Sequence, residues 1–133
     1  MDGNLIIETL ERVAELHGDP ADLVYAELFK VHPAYEELFL MDEGGGVRGT
    51  MLATSLDCVV GLAEGSNIPL LLMEAAQLQH DAYGLKGEEL AAMFVAMRDA
   101  FRIVLAAEWS GHHETAWQAA LQKLEEISRT AAE

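Results

Sequence analysis

The sequence predicts an all-α domain, and three observations carry that prediction. Apolar residues recur at helical spacing through most of the 133 residues, as helices with one buried face require. No segment alternates apolar and polar residues in the period-two pattern of a half-buried strand. The interruptions fall at Gly, Pro, Ser and Asn, which punctuate helices. The expected architecture is six main helices plus a short one in a single domain, 1–133, long enough to bury a core or enclose a cofactor.

The first helix carries Ile6, Leu10, Val13 and Leu16 on one face, with Asn4 as its candidate cap, and ends at His17-Gly18. Asp19-Pro20 restarts the chain, with Asp19 as N-cap and Pro20 in the first helical position, where a missing N–H is harmless. This second helix bears Leu23, Val24, Tyr25, Leu28 and Phe29, and stops near His32-Pro33 because the residue before proline disfavours the α conformation. A short turn of helix, 34–38, delivers Phe39 and Leu40. Asp42-Glu43-Gly44-Gly45-Gly46 reads as a hinge or connector, and it is no phosphate loop, because the GxxxxGK[ST] pattern is absent.

A helix over 47–64 follows, with Leu52, Leu56, Val59 and Val60 on its apolar side. Gly65-Ser66-Asn67 breaks it, and Ile68-Pro69 leads into the apolar stretch 70–84, which presents His80 before stopping at Gly84. Beyond a corner at 85–87, the longest helix places Leu90, Phe94, Met97, Phe101 and Val104 at helical spacing and runs to about Trp109. Ser110-Gly111 turns the chain into a last helix with Trp117, Leu121, Leu124 and Ile127 on one face.

Lys and Arg number 8 against 23 Asp and Glu, a formal charge of −15. That balance opposes nucleic acid and anionic membranes as partners and favours solubility and a basic partner protein. No uninterrupted apolar run is long enough to span a bilayer. The N-terminus lacks the basic region and cleavage site of a signal peptide, and the single cysteine, Cys58, precludes an internal disulfide. A cytoplasmic protein is the natural expectation. Cys58 lies in an apolar run and reads as buried and inert. His112 and His113 are adjacent, do not share a helix face, and read as solvated corner residues. No Ser–His–Asp or Cys–His constellation has support.

Together, the segment 24–39 (Val-Tyr-Ala-Glu-Leu-Phe-Lys-Val-His-Pro-Ala-Tyr-Glu-Glu-Leu-Phe), Arg48-Gly49 with Leu52, His80 with Tyr-Gly-Leu-Lys-Gly-Glu-Glu just after, and Ala116-Trp117 resemble a globin. The similarity is greatest to single-domain bacterial globins and the haem half of flavohaemoglobins, and covers about residues 19–124. It implies helices packed around a haem pocket and haem b as cofactor. His80 would be the proximal iron ligand, its other ring N–H held by a backbone carbonyl near Ala76. Phe39 would stack on the macrocycle, and Leu52, Leu85, Phe94, Leu56 and Met97 would line the pocket. Flavohaemoglobins carry a proximal-side tyrosine ten residues after the histidine, where this chain has Leu90.

On the distal side, a buried Tyr25 hydroxyl needs a partner, which a bound diatomic ligand would supply; a backbone carbonyl or water is the alternative. Arg48 stands where globins commonly have His or Gln. A guanidinium is costly to bury alone, so it would donate to the ligand or pair with a haem propionate, the alternative being an exposed, uninvolved side chain. Lys86 is the second propionate candidate. The resemblance thus implies reversible binding of O2, NO or CO. A second expectation is NO dioxygenase activity with a separate electron-donor reductase, and a third is a gas-sensing or interaction module, with or without haem. An oligomer is compatible with each.

Overall fold

The computed structural model describes the backbone of residues 1–83 and 87–132, and the side chains of these residues except 38, 43, 76–83 and 87–90. Every described secondary element is helical. Six α-helices, α1 (Gly3–His17), α2 (Ala21–Val31), α3 (Gly46–Ala63), α4 (Ile68–Tyr83), α5 (Gly87–Leu105) and α6 (Gly111–Ala131), are joined by 3-10 turns at Pro33–Phe39, Glu43–Gly45 and Ala106–Glu108. Among the described residues, no helix is long and apolar enough to cross a membrane.

The helix starts follow capping chemistry, with some shifts from the sequence reading. Asp2, not Asn4, caps α1, its carboxylate accepting from the Leu5 N–H at 3.1 Å. Asp19 accepts from Ala21 N–H at 2.9 Å, but the N-cap position of α2 is Pro20 and the first helical residue Ala21, one place later than the sequence reading. The Ser66 hydroxyl accepts from Ile68 N–H at 3.1 Å, which lets α4 start at once with Pro69 in its first turn. α5 ends at Leu105, short of Trp109, because Ala106 adopts φ 48° and turns the chain.

The corner before α6 is more ordered than solvated histidines would make it. Ser110 and His113 form a reciprocal capping box, and the His113 ring stacks on Trp109 at 5.3 Å. His113 is therefore a structural cap, half-buried rather than free in solvent.

α5 is the central member, packing on α2, α1, α6 and α3, while α4 packs on α3 and α6. Its Met93, Met97, Ala100 and Phe101 are fully buried, each contributing to one continuous core with Val13, Val24, Leu28, Trp117 and Leu124. A large apolar side chain so buried stabilises the fold by about 1.5–3 kcal/mol. Two glycines set the closest approaches. A Cβ on Gly3 would collide with the Ala63 carbonyl oxygen, where α1 begins against the end of α3. A Cβ on Gly61 would lie 2.9 Å from Pro69 Cδ, so the α3–α4 junction closes only around a glycine.

Candidate functional site

Three of the candidate residues, Tyr25, Phe39 and Arg48, come together where α2, the turn 33–39 and the start of α3 meet. Tyr25, Phe29 and Phe39 form an aromatic triad with centroids 5.5–5.9 Å apart, the Phe39 ring set edge-on to Tyr25. Edge-to-face geometry brings the positive ring edge to the negative face and favours such pairs. Pro33 opens the 3-10 turn that carries Phe39 inward, leaving Leu40 and Met41 outside. Leu52, nearly two turns into α3, is buried in the same core.

The Tyr25 hydroxyl donates to the backbone carbonyl of Arg48 at 2.9 Å. Of the partners open from the sequence, this is the carbonyl. Burial, reinforced by the negative charge of Asp42 and partly opposed by Arg48, holds the phenol well above the ordinary tyrosine range. Tyr25 is therefore a neutral donor at neutral pH.

Arg48 is neither free nor buried. Its Nε lies 3.2 Å from Asp42 Oδ2, with the side chain 41% exposed and that of Asp42 only 5% exposed. Asp42 also accepts from the Val47 N–H at 2.9 Å and the Arg48 N–H at 3.1 Å. These bonds, the Val47 amide foremost, hold its carboxyl below the usual carboxylate range. The reach from residue 42 to residues 47 and 48 depends on Gly44 and Gly45, at φ 78° and 74°, which wrap the chain through a tight left-handed turn. The glycine run is thus a built cap around an aspartate rather than a loose connector.

Of the remaining candidates, Phe94 is buried in the core and also borders a surface groove of about 310 Å³ between α5 and α6, with Val95, Gln118 and Leu121. Met97 is fully buried and Leu56 partly. His80 belongs to α4, but its side chain, and any bond of its ring to the Ala76 carbonyl, lies outside the described residues. So do Leu85 and Lys86. Cys58 is buried and its thiol is pushed up to about 11 by burial, then by Asp57, which makes it a poor nucleophile.

The structure thus joins Tyr25, Phe39 and Arg48 through direct contacts and seats Leu52, Phe94 and Met97 in the same core. Asp42, the residue that organises the start of α3, was missed by sequence reasoning. Its signal was an acid placed just before three glycines and a helix. Among the described residues, no three His, Cys, Asp or Glu side chains are grouped to hold a metal ion. A haem, by contrast, needs one imidazole and apolar walls. Phe39, Leu52, Phe94 and Met97 are apolar and buried in the core. Comparison of the chain with known protein families, curated proteins and solved structures gives no match.

Proposed function

We propose that this chain is a globin that holds haem b through His80 and reversibly binds a diatomic gas. The observation that carries this reading is the meeting of Tyr25, Phe39 and the Arg48 segment beside buried Leu52. These are the residues of the globin-like pattern, and α4, the helix of His80, packs directly on α3. Haem would supply an iron centre able to coordinate O2, NO or CO.

The rest is the work of this chain's own side chains. His80 would provide the proximal imidazole, and Phe39, Leu52, Phe94 and Met97 would exclude water from the macrocycle. Tyr25, neutral and buried, would donate a hydrogen bond to a ligand that draws electron density onto itself. Arg48, partly exposed, would pair with an anionic haem propionate. Leu85 and Lys86 belong to the same proposal as wall and second propionate partner. The acidic surface suits a basic protein partner, such as a reductase if NO turnover is the activity.

A second reading is a helical interaction module without haem. It is favoured by the internal satisfaction of Tyr25 and Arg48, both of which already have protein partners. Absorption spectra of purified protein mixed with haem, in ferric, ferrous and gas-exposed forms, separate the two. A strong Soret band that His80→Ala weakens or shifts is the expected result. No haem uptake, or an identical spectrum from His80→Ala, overturns the first reading.

A further inference from the structure

We infer that Asp42 is a positioning residue that decides what the Tyr25 hydroxyl donates to. The inference rests on the preceding reading for the identity of the competing ligand, but not for the latch itself.

The geometry is a chain of four groups. The Asp42 carboxylate takes the Arg48 amide at 3.1 Å and the Arg48 Nε at 3.2 Å, gripping one residue at both backbone and side chain. It takes the Val47 amide at 2.9 Å as well, so the first turn of α3 is fixed before the peptide that follows. That peptide carries the Arg48 carbonyl, which receives the Tyr25 proton at 2.9 Å. Gly49, next in line, is exposed, and apart from its chain neighbours and the helix's own backbone nothing lies within 4 Å of its Cβ position. No contact from outside α3 holds the peptide at Gly49, so beyond the helix's own bonds its orientation rests on the anchor upstream.

With Asp42 engaged, Tyr25 is committed to the protein. A ligand needing the hydroxyl must displace the Arg48 carbonyl, and its binding is weakened by that competition. Releasing Asp42 loosens the turn and frees the hydroxyl. Asp42 touches no ligand in this scheme and acts through Arg48.

Three variants test it, all in the full chain. The tyrosine Fermi doublet in the Raman spectrum reports whether a phenol donates a hydrogen bond, and subtraction of a Tyr25→Phe spectrum isolates Tyr25 from the other two tyrosines. Asp42→Asn removes the charge and leaves one carbonyl oxygen for three donors, so the Tyr25 doublet is expected to move toward that of a weaker donor. Arg48→Lys keeps the charge and both amide bonds, and a smaller shift in the same direction is expected. Asp19→Asn weakens a comparable carboxylate–amide bond at the start of α2 and leaves the doublet unchanged.

An unmoved doublet in both Asp42→Asn and Arg48→Lys, or an equal shift in Asp19→Asn, overturns the inference. With haem bound, Asp42→Asn is expected to slow O2 dissociation roughly three- to tenfold, the equivalent of one net hydrogen bond. Failure to take up haem would sink the globin reading while the doublet still judged the latch. Haem uptake with an unmoved doublet would sink the latch alone.

Discussion

Replacing Thr9 by Val tests a buried polar link between α1 and α6. The Thr9 hydroxyl donates to the Leu5 carbonyl at 2.7 Å and accepts from the Trp117 indole N–H at 3.2 Å. Thr9 and Trp117 are 0% and 1% exposed, so no water can replace a lost partner from outside. Valine keeps the shape and removes the acceptor. The Leu5 carbonyl retains its helical bond, but the indole N–H is orphaned, at about 1–3 kcal/mol. Unfolding entropies near ~2.1 cal/mol/K per residue give about 0.28 kcal/mol/K for a chain of this length. A loss of about 2 kcal/mol therefore lowers Tm by about 7 °C. Thermal and urea unfolding followed by circular dichroism would measure it, with the urea m-value unchanged. In a Trp117→Phe background the orphaned donor is gone, and Thr9→Val should be nearly neutral. Equal losses in both backgrounds, or no loss in either, would refute the reasoning.

The other predictions concern backbone and thiol. Gly45→Ala places a Cβ at φ 74° and should cost about 1–2 kcal/mol, whereas Gly49→Ala, exposed and unobstructed within α3, should stabilise by about 1 kcal/mol; urea midpoints of the two variants should move in opposite directions. Cys58, its thiol pushed up to about 11, should react with iodoacetamide at neutral pH only as fast as the chain opens. Because its folded pKa lies above the unfolded value, its share of stability is intact below pH ~9 and declines as pH rises toward the folded value. Cys58→Ala should flatten that alkaline decline, and an unchanged alkaline limb would contradict the assignment.

The helices were legible in the sequence because their signals are local. The spacing of Ile6 and Val13, the Asp19-Pro20 start, Gly18 after His17 and the break at 65–67 each report on a few neighbouring residues, and each has its counterpart in the structure. The site was legible only in part, for a definite reason. Tyr25 and Phe39 could be nominated as buried aromatics, but the acceptor of the Tyr25 proton is a backbone carbonyl, and a carbonyl has no letter in the sequence. The same blindness hid Asp42, whose reach of five and six residues exceeds an ordinary cap and depends on two left-handed glycines. It hid Thr9 too, because a helix-interior threonine announces nothing about a tryptophan 108 positions away. His113 could be seen as a corner residue, but not that its ring closes a capping box on Ser110.

Charge narrows what the start of α3 can do. The chain has only 8 cationic side chains against 23 carboxylates, and each of its five arginines is paired with one: Arg12 with Glu108, Arg48 with Asp42, Arg98 and Arg102 with Asp99, and Arg129 with Glu125. Arg12–Glu108 and Arg129–Glu125 are exposed on both sides, where solvent screens their attraction and exchange of partners is easy. Arg48–Asp42 differs because the carboxylate is nearly buried and also carries two backbone amides. An arriving anion, a haem propionate included, could draw away the exposed guanidinium but not those amides. Asp42 would then remain as the cap of α3, and a propionate contact at Arg48 would trade one ion pair for another instead of adding one. The gain at that edge is therefore small, and retention of a haem would depend on the iron–imidazole bond and on the apolar walls. Arg48→Met should consequently leave haem retention in apomyoglobin-transfer assays within roughly threefold of wild type, since one exchanged surface ion pair is worth little. A loss of several orders of magnitude would mean that Arg48 abandons Asp42 for the propionate outright.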